Sequence, residues 1–184
     1  MSDVKELAFV AALYSVVLPG GERLKMADLK AFAADLGLSE IQTVGATGNL
    51  LFKSRVHHPG EVETSLETGF RKRFGKTIPI IVRPAKAFRL LTAANPFSAN
   101  HDPKLVAVRL MREGYGQGFV EDIRRYIDDE DVRVSDGDLW IAFQGDPGKS
   151  RLLSAFSTKK FATPGTFRTL GMVTRINAAL DGMA

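Results

Sequence analysis

The chain has 184 residues, 45% hydrophobic and 25% charged, with a formal net charge of +4 and no cysteine. That composition is ordinary for globular proteins and argues against disorder. The missing cysteine excludes disulfides, thiolate metal sites and cysteine nucleophiles. The longest apolar run, Leu7–Leu18, falls short of the roughly 20 residues of a membrane span and is broken by Tyr14 and Ser15. Asp3, Lys5 and Glu6 precede it, and no small-residue cleavage site fits before Pro19. No leader and no membrane partner are therefore expected, and the cytoplasm is the default compartment.

Leu7–Val17 is apolar with little alternation, which predicts a central strand buried on both faces. After Pro19-Gly20-Gly21, the residues Met26, Leu29, Phe32, Ala33 and Leu36 fall at helical spacing, with Gly37 placed to cap the end. Ile41–Ala46 and Asn49–Lys53 read as a hairpin around Thr47-Gly48. Val62, Leu66, Phe70 and Phe74 predict a second helix, closed by Gly75. Thr77–Arg83 reads as a strand whose Pro79 suits a sheet edge, and Pro84 opens a helix that Asn95-Pro96 stops. The order is β-α-β-β-α-β, which predicts an α+β, ferredoxin-like subdomain over residues 1–97: an antiparallel sheet with both helices on one face.

Asn95–Pro103 reads as a joint, and residues 98–184 as a second α+β subdomain. Leu105–Met111 is its first strand, and a helix over Phe119–Ile127 follows. Val132–Ser135 and Asp138–Phe143 flank Asp136-Gly137, a strong type I′ hairpin signal. Helices are then expected over Lys149–Phe156 and Thr166–Leu180, which makes this half a related β-α-β-β-α-α unit.

Gly145-Asp146-Pro147-Gly148-Lys149-Ser150 resembles a phosphate-binding loop but fails its spacing, since Gln144 stands where the first glycine of G-x-x-x-x-G-K-[ST] belongs. Nucleotide hydrolysis is therefore not expected. A helix start flanked by Lys149 and Arg151 is still suited to holding an anion. Arg71-Lys72-Arg73 with Lys76, and Lys159-Lys160, read as solvated basic faces. Asp128-Asp129-Glu130-Asp131 reads as a solvated acidic turn without the glycine spacing of a calcium loop. His57, His58 and His101 are too scattered to predict a metal site, so no cofactor is expected and no catalytic residue is assigned. Gly48–Lys53 lacks the aromatic pattern with which a ferredoxin-like sheet stacks RNA bases.

Taken in order, Ala11–Met26, Met26-Ala27-Asp28-Leu29, Thr47-Gly48-Asn49-Leu50-Leu51-Phe52, Asn95-Pro96-Phe97, Lys149-Ser150-Arg151-Leu152 and Phe167-Arg168-Thr169 resemble DUF1697, a family of unknown function. The resemblance implies two α+β subdomains and supplies no activity. Where the family carries R-G-I-N-V-G, this chain has Tyr14-Ser15-Val16-Val17-Leu18-Pro19, and where it carries Q-S-G-N, this chain has Ala46-Thr47-Gly48-Asn49. The family's R-N-W-R-T corresponds to Gly165–Thr169. Polar groups are thus missing from three segments, while Asn49, Lys149, Ser150, Arg151 and Arg168 remain. These five are the candidate anion-binding residues, with the site expected at Lys149–Arg151 and Arg168 rather than at Tyr14–Pro19. The chain reads as a binding module for an anionic or phosphate-bearing ligand, or for nucleic acid. The alternative is an enzyme acting on a small anionic substrate, with Lys149 and Arg168 as clamps. The oligomeric state is left open.

Overall fold

Leu7 to Leu13 forms the strand β1, and the chain leaves it at Tyr14, where the apolar run first meets a polar pair. A computed structural model describes residues 5–158, 161 and 163–183. In the order of the chain, α1 (Met26–Asp35), β2 (Ser39–Thr43), β3 (Asn49–Ser54), α2 (Pro59–Phe74) and β4 (Ile80–Pro84) follow. The sheet order is β2-β3-β1-β4 and every neighbouring pair is antiparallel, as the β-α-β-β-α-β pattern requires. Both helices lie on one face. Phe9, Ala11 and Leu13 of β1 pack there with Leu50, Phe52, Ile80 and Val82 against Leu29 and Phe32 of α1 and Val62, Leu66 and Phe70 of α2. Val10 and Ala12 point the other way and are also buried, which explains the missing alternation.

β4 is an edge strand, and α2 covers it chemically. The carboxylates of Glu63 and Glu67, one helical turn apart, accept hydrogen bonds from the Val82 and Ile80 backbone N–H groups, each at 2.9 Å. An i, i+4 pair on the helix thus matches the i, i+2 outward donors of the strand. The exposed ladder that an edge would offer is closed.

Two short helices, α3 (Ala85–Arg89) and α4 (Leu91–Ala94), lead on to β5 (Val106–Met111) and α5 (Phe119–Ile123), which ends in a 3-10 turn at Arg124–Tyr126. Then come β6 (Asp131–Ser135), β7 (Asp138–Ala142), α6 (Arg151–Ser157), β8 (Gly165–Thr169) and α7 (Leu170–Asp181). This sheet has the order β6-β7-β5-β8 and is again antiparallel. Its helix-side core joins Ala107, Leu139 and Ile141 to Ile123, Leu152 and Phe156, with Phe119, Phe161 and Phe167 around them. At the β6–β7 turn, Asp136 has φ 49° and Gly137 φ 81°, while Ser135 pairs with Asp138. Two positive φ values in a two-residue loop are the type I′ turn expected there.

The fold class is as read, but one element differs. Residues 165–169, expected within a helix over Thr166–Leu180, form the edge strand β8 paired to β5 from Ala107 to Met111. The second half is therefore β-α-β-β-α-β with a closing helix, not β-α-β-β-α-α. Phe167 stands three residues before Leu170, so its spacing imitates the helical stripe that begins only at Leu170. Thr166 and Thr169 favour extended backbone, and pairing with β5 decides the matter.

The chain forms two units, residues 1–90 with 175–184 and residues 91–174. It crosses from the first to the second between Leu90 and Leu91, ahead of the Asn95–Pro103 stretch, and returns inside α7 between Thr174 and Arg175.

Candidate functional site

The start of α6 is occupied from within the chain. Ser150 caps the helix, its hydroxyl oxygen accepting from Leu153 N–H at 3.2 Å while its own O–H donates to the Glu130 carboxylate. The Gly148 N–H donates to the Asp146 carboxylate at 2.9 Å, and the Lys149 and Ser150 N–H groups donate to the carbonyls of Asp146 and Pro147. Arg151 is held by Asp128 at 2.7 Å and by the Arg125 carbonyl at 3.2 Å. The Gly148, Lys149 and Ser150 N–H groups and the Arg151 guanidinium, which a phosphate would use, thus already have acceptors within the chain. Beside them lies a cavity of about 210 Å³, lined by Asp128, Asp129, Glu130, Asp146 and Lys149 among others. Four carboxylates and one lysine line it, and one of the four, Asp128, is paired with Arg151.

Glu130 was not legible as a structural residue, since spacing marked its run as a solvated turn. It is only 8% exposed. Burial acts to raise its pKa, but hydrogen bonds from Ser150 and from the backbone N–H groups of Asp128, Glu130 and Asp129 outweigh burial and hold it below the usual carboxylate value.

Arg168 does not join this group. It lies in β8, at the opposite edge of the sheet from β6, about 14 Å away at ordinary strand spacing. Phe167 packs on Phe156 of α6, so Arg168, the next residue of the strand, points to the other face. It is 6% exposed and donates to Thr166 Oγ1 at 3.0 Å and to the Phe167 carbonyl at 2.7 Å. Burial pushes its guanidinium down to about 10, which leaves it charged at neutral pH. Asn49 belongs to the first unit and is fully buried. Its amide donates to the Val44 carbonyl at 2.9 Å and to Thr47 Oγ1 at 3.0 Å, fixing the β2–β3 hairpin. The Lys159-Lys160 pair lies outside the described residues.

Asn49 marks a second place where loops meet. Leu13 N–H donates to the Gly48 carbonyl, Tyr14 N–H to the Pro79 carbonyl, and Arg23 to the Ala46 carbonyl at 3.1 Å. Gly48, at φ 79°, lies so close to Leu13 and Val16 that a Cβ there would come within 3 Å of both. The Lys76 ammonium donates to Ser15 Oγ and to the Val17 carbonyl, and Val17 bridges Arg23. Three segments, 14–25, 44–49 and 75–79, thus form one end of the first unit. Arg23, Lys25, Tyr14 and Val17 are exposed on it, with Glu22 the carboxylate of these segments. Among the described residues no side chain caps α1, which starts here after Lys25 and carries Asp28 in its first turn.

A family model described as a protein of unknown function, DUF1697, matches residues 7–140. The chain belongs to that family. No curated protein sequence matches it. A conserved bacterial protein from Streptococcus pneumoniae matches in structure with a TM-score of 0.76 at 16% identity, covering 96% of this chain and 99% of that one. At such identity the likeness speaks for the fold alone. Among the described residues, no helix of this DUF1697 chain is long and apolar enough to cross a membrane. Two of its three segments with altered family polar positions, Tyr14–Pro19 and Ala46–Asn49, are the loops that meet at the end of the first sheet. The third, Gly165–Thr169, is β8 and lies beyond the matched residues.

Proposed function

We propose that this DUF1697 chain is a binding module that holds a phosphate-bearing ligand on the loop end of its first unit. The observation that carries this reading is the charge distribution. The first unit has 14 Lys and Arg against 10 Asp and Glu, a net +4, whereas the second has 11 against 11 and is neutral. All of the chain's net charge therefore belongs to the unit in which Arg23, Lys25 and Lys76 stand on converging loops. The last turn of α2, which ends just before Lys76, adds the exposed Arg71 and Lys72. Exposed cations are screened by salt, so a ligand carrying several phosphates is favoured over one carrying a single charge.

The test uses labelled inorganic polyphosphate, with affinity measured by fluorescence anisotropy as salt is raised. Affinity should fall steeply with salt, and the charge reversal R23E/K25E should lower it at least about tenfold, since two phosphate contacts are lost and two repulsions gained. The pair K149A/R168A should leave it unchanged, because those side chains belong to the second unit. Binding that is absent at low salt, or that follows Lys149 and Arg168 instead, defeats the reading.

A further inference from the structure

Tyr14 is the one aromatic residue among the large exposed apolar side chains of the described chain, at 45% exposure. The other two tyrosines are tied down. The Tyr115 hydroxyl accepts from Arg109 at 2.7 Å and its ring stacks on Phe119, while the Tyr126 ring meets Phe161 edge-on. Nor does the sheet present its aromatics. Phe9 and Phe52 are buried beneath the helices, their rings stacked on each other at 5.9 Å. Among the described residues, the Tyr14 side chain has neither a hydrogen-bond partner nor a ring neighbour, yet its backbone is pinned by the Pro79 carbonyl. Lys76 is bonded to the very next residue, Ser15, and Arg23 bridges Val17 two residues further on. An exposed aromatic ring therefore belongs to the same short segment on which Lys76 and Arg23 converge.

From this juxtaposition we infer that the ligand is a single-stranded nucleic acid, with one base stacked on Tyr14 while Arg23, Lys25 and Lys76 meet the adjoining phosphates. The inference rests on the phosphate-binding reading and deepens it. Cations alone attract any polyanion, whereas an aromatic ring interleaved with them adds an attraction that only a base-bearing polymer can satisfy. A duplex hides its base faces in the stack, so the single strand is the form that fits.

The experiment compares three probes at one low salt concentration: a labelled oligothymidylate about 12 nucleotides long, a duplex of the same length, and inorganic polyphosphate. Tyr14→Ala should weaken oligothymidylate binding about tenfold, as losing one stacking ring does, and leave polyphosphate binding as it was. Tyr14→Phe should restore the single-strand affinity, because the ring and not the hydroxyl is used. The duplex should bind no better than polyphosphate. If Tyr14→Ala lowers neither probe while R23E/K25E lowers both, base stacking is refuted and the phosphate reading stands. If no probe binds the parent chain, both fail. If the duplex binds as tightly as the single strand, the inference is overturned as well.

Discussion

Gly137 is held by two demands at once. Its φ of 81° is one that side chains with a Cβ rarely adopt, and a Cβ built there would stand 3.0 Å from the Gly114 Cα. The neighbouring Tyr115 N–H donates to the Gly137 carbonyl at 2.8 Å, so the turn cannot drift away from the loop it touches. Gly137→Ala should destabilise the protein by about 1–2 kcal/mol. The check is a lowered urea midpoint, with Gly116→Ala as the control, since that site is open and has no positive φ. An unchanged midpoint for Gly137→Ala would contradict the account. This turn was legible from Asp136-Gly137 because its chemistry is local. Glu130 was not, because its partner Ser150 stands twenty residues away, and nothing in a run of four acidic residues says which of them turns inward.

At the scale of elements, the cover of α2 over β4 makes a definite demand. Glu63 is 7% exposed and satisfies the Val82 N–H, a donor that would otherwise be buried without a partner. Glu63→Ala should cost about 1–3 kcal/mol through that orphaned donor. Hydrogen exchange at Val82 should quicken relative to Ile80, whose acceptor Glu67 remains. Equal exchange at the two amides would show that the carboxylate is not what protects the edge. The helices themselves were readable, because Val62, Leu66 and Phe70 repeat at the spacing that puts them on one face. β8 was not, because a strand residue, Phe167, falls by chance into the phase of the helix that follows. Periodicity cannot separate two elements that share a phase, and only the pairing with β5 does.

For the molecule as a whole, the division into units decides what can be removed. Ile176, Leu180 and Met183 are each at most 3% exposed and lie in the segment that returns to the first unit, where the Leu180 carbonyl also accepts from Arg89 at 2.8 Å. At about 1.5–3 kcal/mol per buried side chain, their loss rivals the ~5–15 kcal/mol by which domains are stable. A chain ending at Thr174 should therefore lose its cooperative thermal transition when followed by circular dichroism. Retention of a sharp melt near the parent's temperature would show that the returning segment is dispensable. The candidate site was the least legible feature at this scale. Tyr14, Asn49 and Lys76 are far apart in sequence, and it is the antiparallel pairing of β1 with β3 and β4 that gathers them. The same return of the chain sets an order of events on the ribosome. The first unit lacks its last ten residues until the 84 residues from Leu91 to Thr174 have been made. At ~5–20 residues per second this is a wait of about 4–17 s, during which the second unit, contiguous in sequence, can complete itself first. The half of the protein that is translated earliest is the half that finishes last.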